Sequence, residues 1–192
     1  MYNIIYADPP WAYKFPGTRK EKTEDYPTMK TADICKLPIA ELVAPNAVLF
    51  VWVIWTKLYD ALEVMKSWGF EYKTVGFVWV KTNKTTDTQQ FSFLPCDSFD
   101  AFWGMGSWTR SNTEVCLIGT KGTPIRKSAS VHQVIYSPIQ RHSKKPDETR
   151  ERIVELMGDL PRVELFARQK ANGWDVWGNE VECDIELVPK EI

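Results

Sequence analysis

Residues 48–55 read VLFVWVIW, eight apolar residues in succession with no polar alternation. A strand with one wet face alternates apolar and polar side chains, so an unbroken β-prone run predicts a strand covered on both faces. That requirement excludes most architectures, because something must lie above and below the sheet. The next segment supplies a cover. Leu58, Ala61, Leu62, Met65 and Trp68 form one apolar face at helical spacing, with Thr56 placed to cap the helix and Gly69 to stop it.

The same alternation recurs along the chain. Residues 3–7, 72–80, 115–119, 131–136 and 162–166 read as strands, and 174–177 as a short last one. Residues 31–42 read as one or two short helices broken at Pro38. Lys145-Pro146-Asp147-Glu148 opens a further helix, with Pro at its first position and acids in its first turn, and Gly158 ends it. Strands alternating with helices predict an α/β fold: one domain over residues 1–192, with a mixed, mostly parallel sheet flanked by helices. Two stretches lack periodicity, a loop over residues 12–30 and an insertion over residues 82–113 rich in Gly, Ser, Asn and aromatics. Connections of that length in a compact domain are usually functional. Ligands of such sheets bind outside the carboxyl ends of the strands, where Asp8 and Ala167-Arg168 fall.

Composition narrows the partners. The net charge of -1 gives no general signature of a nucleic-acid binder. Locally the picture differs: residues 115–146 contain no acid, while Lys121, Arg126, Lys127, Arg141, Lys144 and Lys145 all fall there. Such a segment is either a basic face for a phosphate backbone or an ordinary solvated surface. Nine Trp give core filler with a surplus of flat rings suited to stacking nucleobases. Four scattered Cys and two His offer no metal-ligand spacing, so no metal is expected. Reduced thiols, and the lack of a leader-like or membrane-length apolar segment, lead to the expectation of a cytoplasmic protein without membrane association.

The stretch that carries chemistry is Ala7-Asp8-Pro9-Pro10-Trp11 at the end of the first strand. An aromatic amine is a poor nucleophile because its lone pair is delocalised into the ring. The Asp8 carboxylate and the Pro9 carbonyl are two acceptors that would hold the amine hydrogens and free that lone pair. Proline sets the turn in advance, Pro10 extends it, and Trp11 offers a flat face to an extruded base. The bland alternative is a proline turn with an Asp cap and a core Trp.

The motif DPPW after an apolar strand resembles the active-site signature of the S-adenosylmethionine-dependent adenine methyltransferases, the family of the eukaryotic messenger-RNA m6A writer. Further motifs are similar to that family in order: VLFVWV, GFEYKTVGFVWVKTN, GMGSWTRSNTEVCLIGTKG, RHSKKPDE and VELFAR…GWDVWGNE, from residue 3 to residue 180. The resemblance implies a Rossmann-like methyltransferase fold in circularly permuted order, catalytic motif first and cofactor motif last. It implies S-adenosyl-L-methionine as cofactor, with Lys145 on its carboxylate and Asp8 on its amine. Glu164, Leu165, Phe166 and Arg168 would line its pocket, and Asn179 and Glu180 would offer polar groups to its ribose or adenine. Relatives often carry Gln at the position of Glu180. Asp8 is then an acceptor rather than a strong base.

For the substrate, the resemblance places Glu114 beside the target. Tyr13, Lys14, Arg19 and Lys20 of the first loop, with Trp108 and Arg110 of the insertion, combine the basic and aromatic chemistry that grips unpaired nucleotides. The chain is similar to compact bacterial or bacteriophage members, which implies adenine in DNA as substrate. The same reaction on RNA is the alternative, and a non-catalytic methyltransferase-fold subunit is the competing class. Whether the chain works as a homodimer or with a partner subunit stays open.

Overall fold

The computed structural model describes residues 1–12, 27–84, 102–104, 106, 108–140 and 144–187. Among these, seven strands form one sheet: β1 (Tyr2–Ala7), β2 (Val43–Val53), β3 (Glu71–Thr82), β4 (Thr113–Lys121), β5 (Val134–Pro138), β6 (Arg162–Leu165) and β7 (Asp175–Trp177). Their order across the sheet is β5-β3-β4-β2-β1-β6-β7. Only β4 is antiparallel to its neighbours, β2 and β3; every other pairing is parallel. The mixed, mostly parallel sheet inferred from the sequence is therefore present. One edge carries the carboxyl ends of six strands and the start of β4.

Helices cover both faces, as the apolar run of β2 requires. Alternate residues Leu49, Val51 and Val53 face a core shared with Ile34 of α1 (Thr31–Cys35) and with Ala61, Val64, Met65 and Trp68 of α2 (Leu58–Ser67). The intervening Val48, Phe50 and Trp52 face a second core closed by Ile153 and Met157 of α3 (Glu148–Met157). Among the described residues no helix is long and apolar enough to cross a membrane.

Several boundaries differ from expectation. β2 begins at Val43, because a bulge between the Tyr2–Val43 and Ile4–Val48 pairings holds Pro45 and Asn46 outside the regular ladder. Thr56 does not cap α2; it lies inside a 3-10 turn, Trp55–Lys57, that leads into the helix without a side-chain cap. Gly69 does end that helix, at a φ of 84°.

α3 starts at Glu148, later than the Lys-Pro-Asp-Glu pattern suggests. Asp147 is drawn into side-chain bonds with Lys144 and Arg150, and Pro146 lies in the preceding turn with its carbonyl accepting from Thr149. Lys145 is thereby left ahead of the helix. The basic segment also divides. Lys121 closes β4 at the edge opposite the starts of the βα loops, and Lys127 donates its N–H to Leu156 near the end of α3, whereas Lys145 reaches the carboxyl edge. These cations do not form one face.

Candidate active site

The turn after β1 is held from several sides. The Trp11 N–H donates to the Pro9 carbonyl (2.9 Å), Met29 donates to the Pro10 carbonyl (2.8 Å), and Ala12 donates to Met29 (3.0 Å). The Trp11 ring enters the core at 5% exposure, and its indole N–H donates to the Trp52 carbonyl at 3.0 Å. This differs from the expectation of a ring face offered to a base. A large apolar ring with one polar atom is satisfied best inside, and here it anchors the turn to β2. Pro9 keeps its second lone pair, since only one is taken by Trp11.

Asp8 projects from this turn toward Lys145, whose ammonium lies 2.8 Å from each carboxylate oxygen. Lys145 is shared: Glu114 stands 3.2 Å away on β4. The other oxygen of Glu114 accepts from Lys81, at the end of β3, at 2.5 Å. Four charges of alternating sign thus run Lys81, Glu114, Lys145, Asp8. Burial pushes the Asp8 carboxyl above its ordinary range, and Lys145 only partly offsets this. Burial would raise Glu114 too, but Lys145 and Lys81 together overcome it and hold that carboxyl below its usual value. Desolvation opposes the charge on Lys145, yet its two carboxylates keep its pKa raised.

On the other side of Asp8 opens a cleft, walled by the Pro9-Pro10 turn, Phe166, Arg168, Asn179 and Glu180. It lies at the ends of β1, β6 and β7. Gly178 permits this geometry, because a Cβ there would stand 2.0 Å from the Ala167 carbonyl oxygen. Phe166 turns the chain at a φ of 62°, the left-handed region, and sets its ring edge-on against Trp177 (5.3 Å, 72°). Strained non-glycine backbone of this kind tends to occur at ligand clamps. Arg168 faces Glu180 across the mouth at 3.6 Å.

Five of the expected cofactor residues, Asp8, Phe166, Arg168, Asn179 and Glu180, therefore line one cleft. Three do not. Leu165 is fully buried in the core. Glu164 is 6% exposed and makes a two-pronged ion pair with Arg150 of α3 (2.7 and 2.8 Å), on the face of the sheet away from α2. The strand alternation that turns Leu165 to one face turns Glu164 to the other. Lys145 stands behind Asp8 rather than in the cleft wall.

The donor set of the cleft fits S-adenosyl-L-methionine. It offers carboxylates to hydroxyl and amine hydrogens, an amide and a guanidinium to ring nitrogens and oxygens, and an apolar ring against a flat base. Of the expected substrate residues, Glu114 is in the charge chain and Trp108 is fully exposed just ahead of β4. The Arg110 guanidinium lies 5.9 Å from the centre of the Trp103 ring. Tyr13, Lys14, Arg19 and Lys20 lie outside the described residues.

One residue tied to the site, Lys81, carried no signal by itself in the sequence. Lys81 sits inside WVKTN, far from Glu114 in sequence; only the β3–β4 register, with Trp79 opposite Glu114, brings the two side chains together.

The chain matches the MT-A70 family over residues 2–180. It is 32% identical to the type II methyltransferase M.MunI of Mycoplasma sp, over 99% of this chain and 82% of that protein. It is 28% identical to a putative N(6)-adenosine-methyltransferase MT-A70-like protein of Medicago truncatula, and 26% identical to the human N(6)-adenosine-methyltransferase catalytic subunit METTL3. Each of these alignments covers 94% of this chain, but only 26% and 28% of those longer proteins. With its Asp-Pro-Pro-Trp turn, its cleft at the ends of β1, β6 and β7 and a family match over nearly its whole length, the chain belongs to the MT-A70 family of methyltransferases.

Proposed function

We propose that the protein transfers a methyl group from S-adenosyl-L-methionine to the exocyclic 6-amino group of adenine in DNA, in the cytoplasm. The observation that carries the reading is Asp8: an ionisable carboxylate at the end of β1, on the wall of the cleft and fixed from behind by Lys145 at 2.8 Å. Similarity to M.MunI across most of both chains supports DNA. The N(6)-adenosine-methyltransferase names of the longer relatives support RNA as the second reading.

The bound cofactor supplies an activated methyl group; the chain supplies position and acceptors. Asp8 takes one hydrogen of the target amine and the free lone pair of the Pro9 carbonyl takes the other, so the nitrogen lone pair is released from the ring. The Pro9-Pro10 backbone and the buried Trp11 anchor keep both acceptors in place before substrate arrives. Once the nitrogen has gained its fourth substituent it is cationic, and a proton passes to an Asp8 oxygen or to water. The raised pKa of Asp8 suits a transient proton acceptor. Glu180, Asn179, Arg168 and Phe166, which line the cleft, would hold the cofactor's sugar and base.

The test offers labelled cofactor with single-stranded DNA, duplex DNA and RNA, then digests each product to nucleosides. N6-methyladenine in DNA is expected. Label in RNA alone would replace the DNA reading. Cofactor binding with no transfer to any nucleic acid would favour a non-catalytic subunit.

A further inference from the structure

Lys81 lies outside the cleft and is separated from the Asp8 carboxylate by Glu114 and Lys145 in the chain of charges, yet its placement is tightly defined. Its N–H donates to Asn112, its carbonyl accepts from Phe102, and its ammonium lies 5.1 Å from the centre of the Trp79 ring. From there it donates to Glu114 at 2.5 Å, with 18% and 11% of the two side chains exposed. Few lysines are so immersed without a specific partner to hold.

The partner's situation shows why the contact matters. Asp8 and Glu114 compete for one ammonium, that of Lys145. With Lys81 present, two cations balance two anions. Without it, Glu114, the more buried of the two carboxylates, is left among the described residues with only the ammonium that Asp8 also uses. One of the two carboxylates must then take up a proton, or Lys145 must move toward one of the pair. Either response changes how Lys145 engages Asp8, and so changes the lone pairs that Asp8 presents to an amine.

We propose that Lys81 is a positioning residue for methyl transfer: by pairing with the outer oxygen of Glu114 it keeps Glu114 ionised and Lys145 divided between Glu114 and Asp8, which holds Asp8 in its accepting geometry. This rests on the methyltransferase reading above. Lys81 touches neither the cleft nor Asp8, so it acts through Glu114 and Lys145. Among the described residues, Arg168, Glu164 and Tyr6 also act electrostatically on Asp8, and Cys116 on both Asp8 and Lys145.

The experiment compares Lys81→Met, Lys81→Arg, Glu114→Gln and the Lys81→Met/Glu114→Gln double variant. Carboxyl-carbon NMR titration of the cofactor-free protein gives a readout independent of turnover. In Lys81→Met the Glu114 carboxyl titrates about 1–3 pH units higher, the shift that loss of one adjacent cation brings. In Lys81→Arg it stays at the wild-type position. In turnover, Lys81→Met lowers kcat by about 10- to 100-fold with KM for the cofactor unchanged, and Lys81→Arg restores most of it.

In the Glu114→Gln background, where no carboxylate needs the second cation, adding Lys81→Met costs nothing further. This arm also serves if the single Met variant does not fold. An unmoved Glu114 titration, a wild-type kcat in Lys81→Met, or an additive loss in the double variant each overturns the proposal. If the wild-type protein transfers no methyl at all, the function fails instead, and the titration arm still decides whether the charge chain exists.

Discussion

The Lys145 ammonium lies 2.8 Å from both oxygens of Asp8, so the carboxylate of the Asp-Pro-Pro-Trp turn is gripped from behind while its remaining lone pairs face the cleft. The two residues are 137 positions apart in sequence, and the contact joins the end of β1 to the turn that precedes α3. It gives one carboxylate both a fixed orientation and a partly compensated charge.

Asp8→Asn keeps the size of the side chain and one carbonyl acceptor but removes the charge. Methyl transfer should fall by about 100- to 1000-fold, the loss typical of a single preorganised electrostatic contact to the reacting group. The fold should survive, because Lys145 retains Glu114 as partner. Labelled-methyl transfer and thermal unfolding, measured on the same preparation, separate the two effects. Turnover close to wild type would remove Asp8 from the role given to it.

Lys145→Met removes the cation that two carboxylates share. Breaking a buried ion pair on one side costs about 3–5 kcal/mol. The lower end is expected here, because Asp8 keeps 26% of its side-chain surface exposed. Denaturant unfolding reads the loss. Adding Glu114→Gln should recover part of it by discharging the more buried carboxylate, and a double variant no more stable than Lys145→Met would contradict the shared-cation account.

Much of this architecture was legible because local signals and the global requirement coincide. The apolar run of β2 demanded cover on two faces, and the periodic helix after it supplied the first cover. The cleft residues were legible through the resemblance, since Asp8, Phe166, Arg168, Asn179 and Glu180 stand in short contiguous motifs at strand ends. What could not be read is pairing across the sheet. The resemblance of the VELFAR motif implies a pocket role for Glu164, but strand alternation points it at Arg150. Trp11 looked like a stacking face because it follows the prolines, but its indole N–H is bonded to β2. Local composition gave no sign of either partner. α3 starts later than its Lys-Pro-Asp-Glu pattern suggests for a local reason: Asp147 is bound to Lys144 and Arg150, each three residues away.

The Arg150–Glu164 pair leads to a prediction that separates packing from cofactor binding. Burial leaves the Glu164 carboxyl above its ordinary range despite the bidentate guanidinium. Arg150→Met therefore strands a buried carboxylate and should destabilise the protein by about 3–5 kcal/mol. Glu164→Gln should cost less, because the amide still accepts from Arg150. Calorimetry with S-adenosyl-L-methionine should find the affinity of Glu164→Gln unchanged; a large loss at preserved stability would return Glu164 to the cofactor site.

Gly178→Ala tests the cleft itself. The added methyl would meet the Ala167 carbonyl oxygen at 2.0 Å, and backbone cannot yield as a flexible side chain does. The β6 and β7 ends must separate, which breaks the bond from the Ala167 N–H to the Trp177 carbonyl (2.9 Å) and displaces Asn179 and Glu180. Cofactor affinity by calorimetry should fall by more than tenfold, equivalent to about 1.4 kcal/mol. Preserved affinity would show that the turn after β7 does not hold the cofactor.

Acid should remove activity before it removes the fold, because the two carboxylates of the charge chain are shifted in opposite directions. Asp8 is raised, chiefly by burial, so it takes up a proton at a pH above the ordinary aspartate range and then offers the amine one acceptor fewer. A raised carboxyl is already a cost to the ionised folded state, so its protonation relieves strain rather than unfolding the protein. Glu114 works the other way: its folded pKa is depressed by Lys145 and Lys81, despite burial. Its contribution to stability is complete above the unfolded-state value and is lost only as pH falls toward the depressed one. Between the raised value of Asp8 and the depressed value of Glu114 the protein should be folded and inactive, and should recover fully on return to neutral pH. Parallel pH profiles of kcat and of thermal unfolding check this, and coincident loss of rate and fold would contradict the opposed shifts.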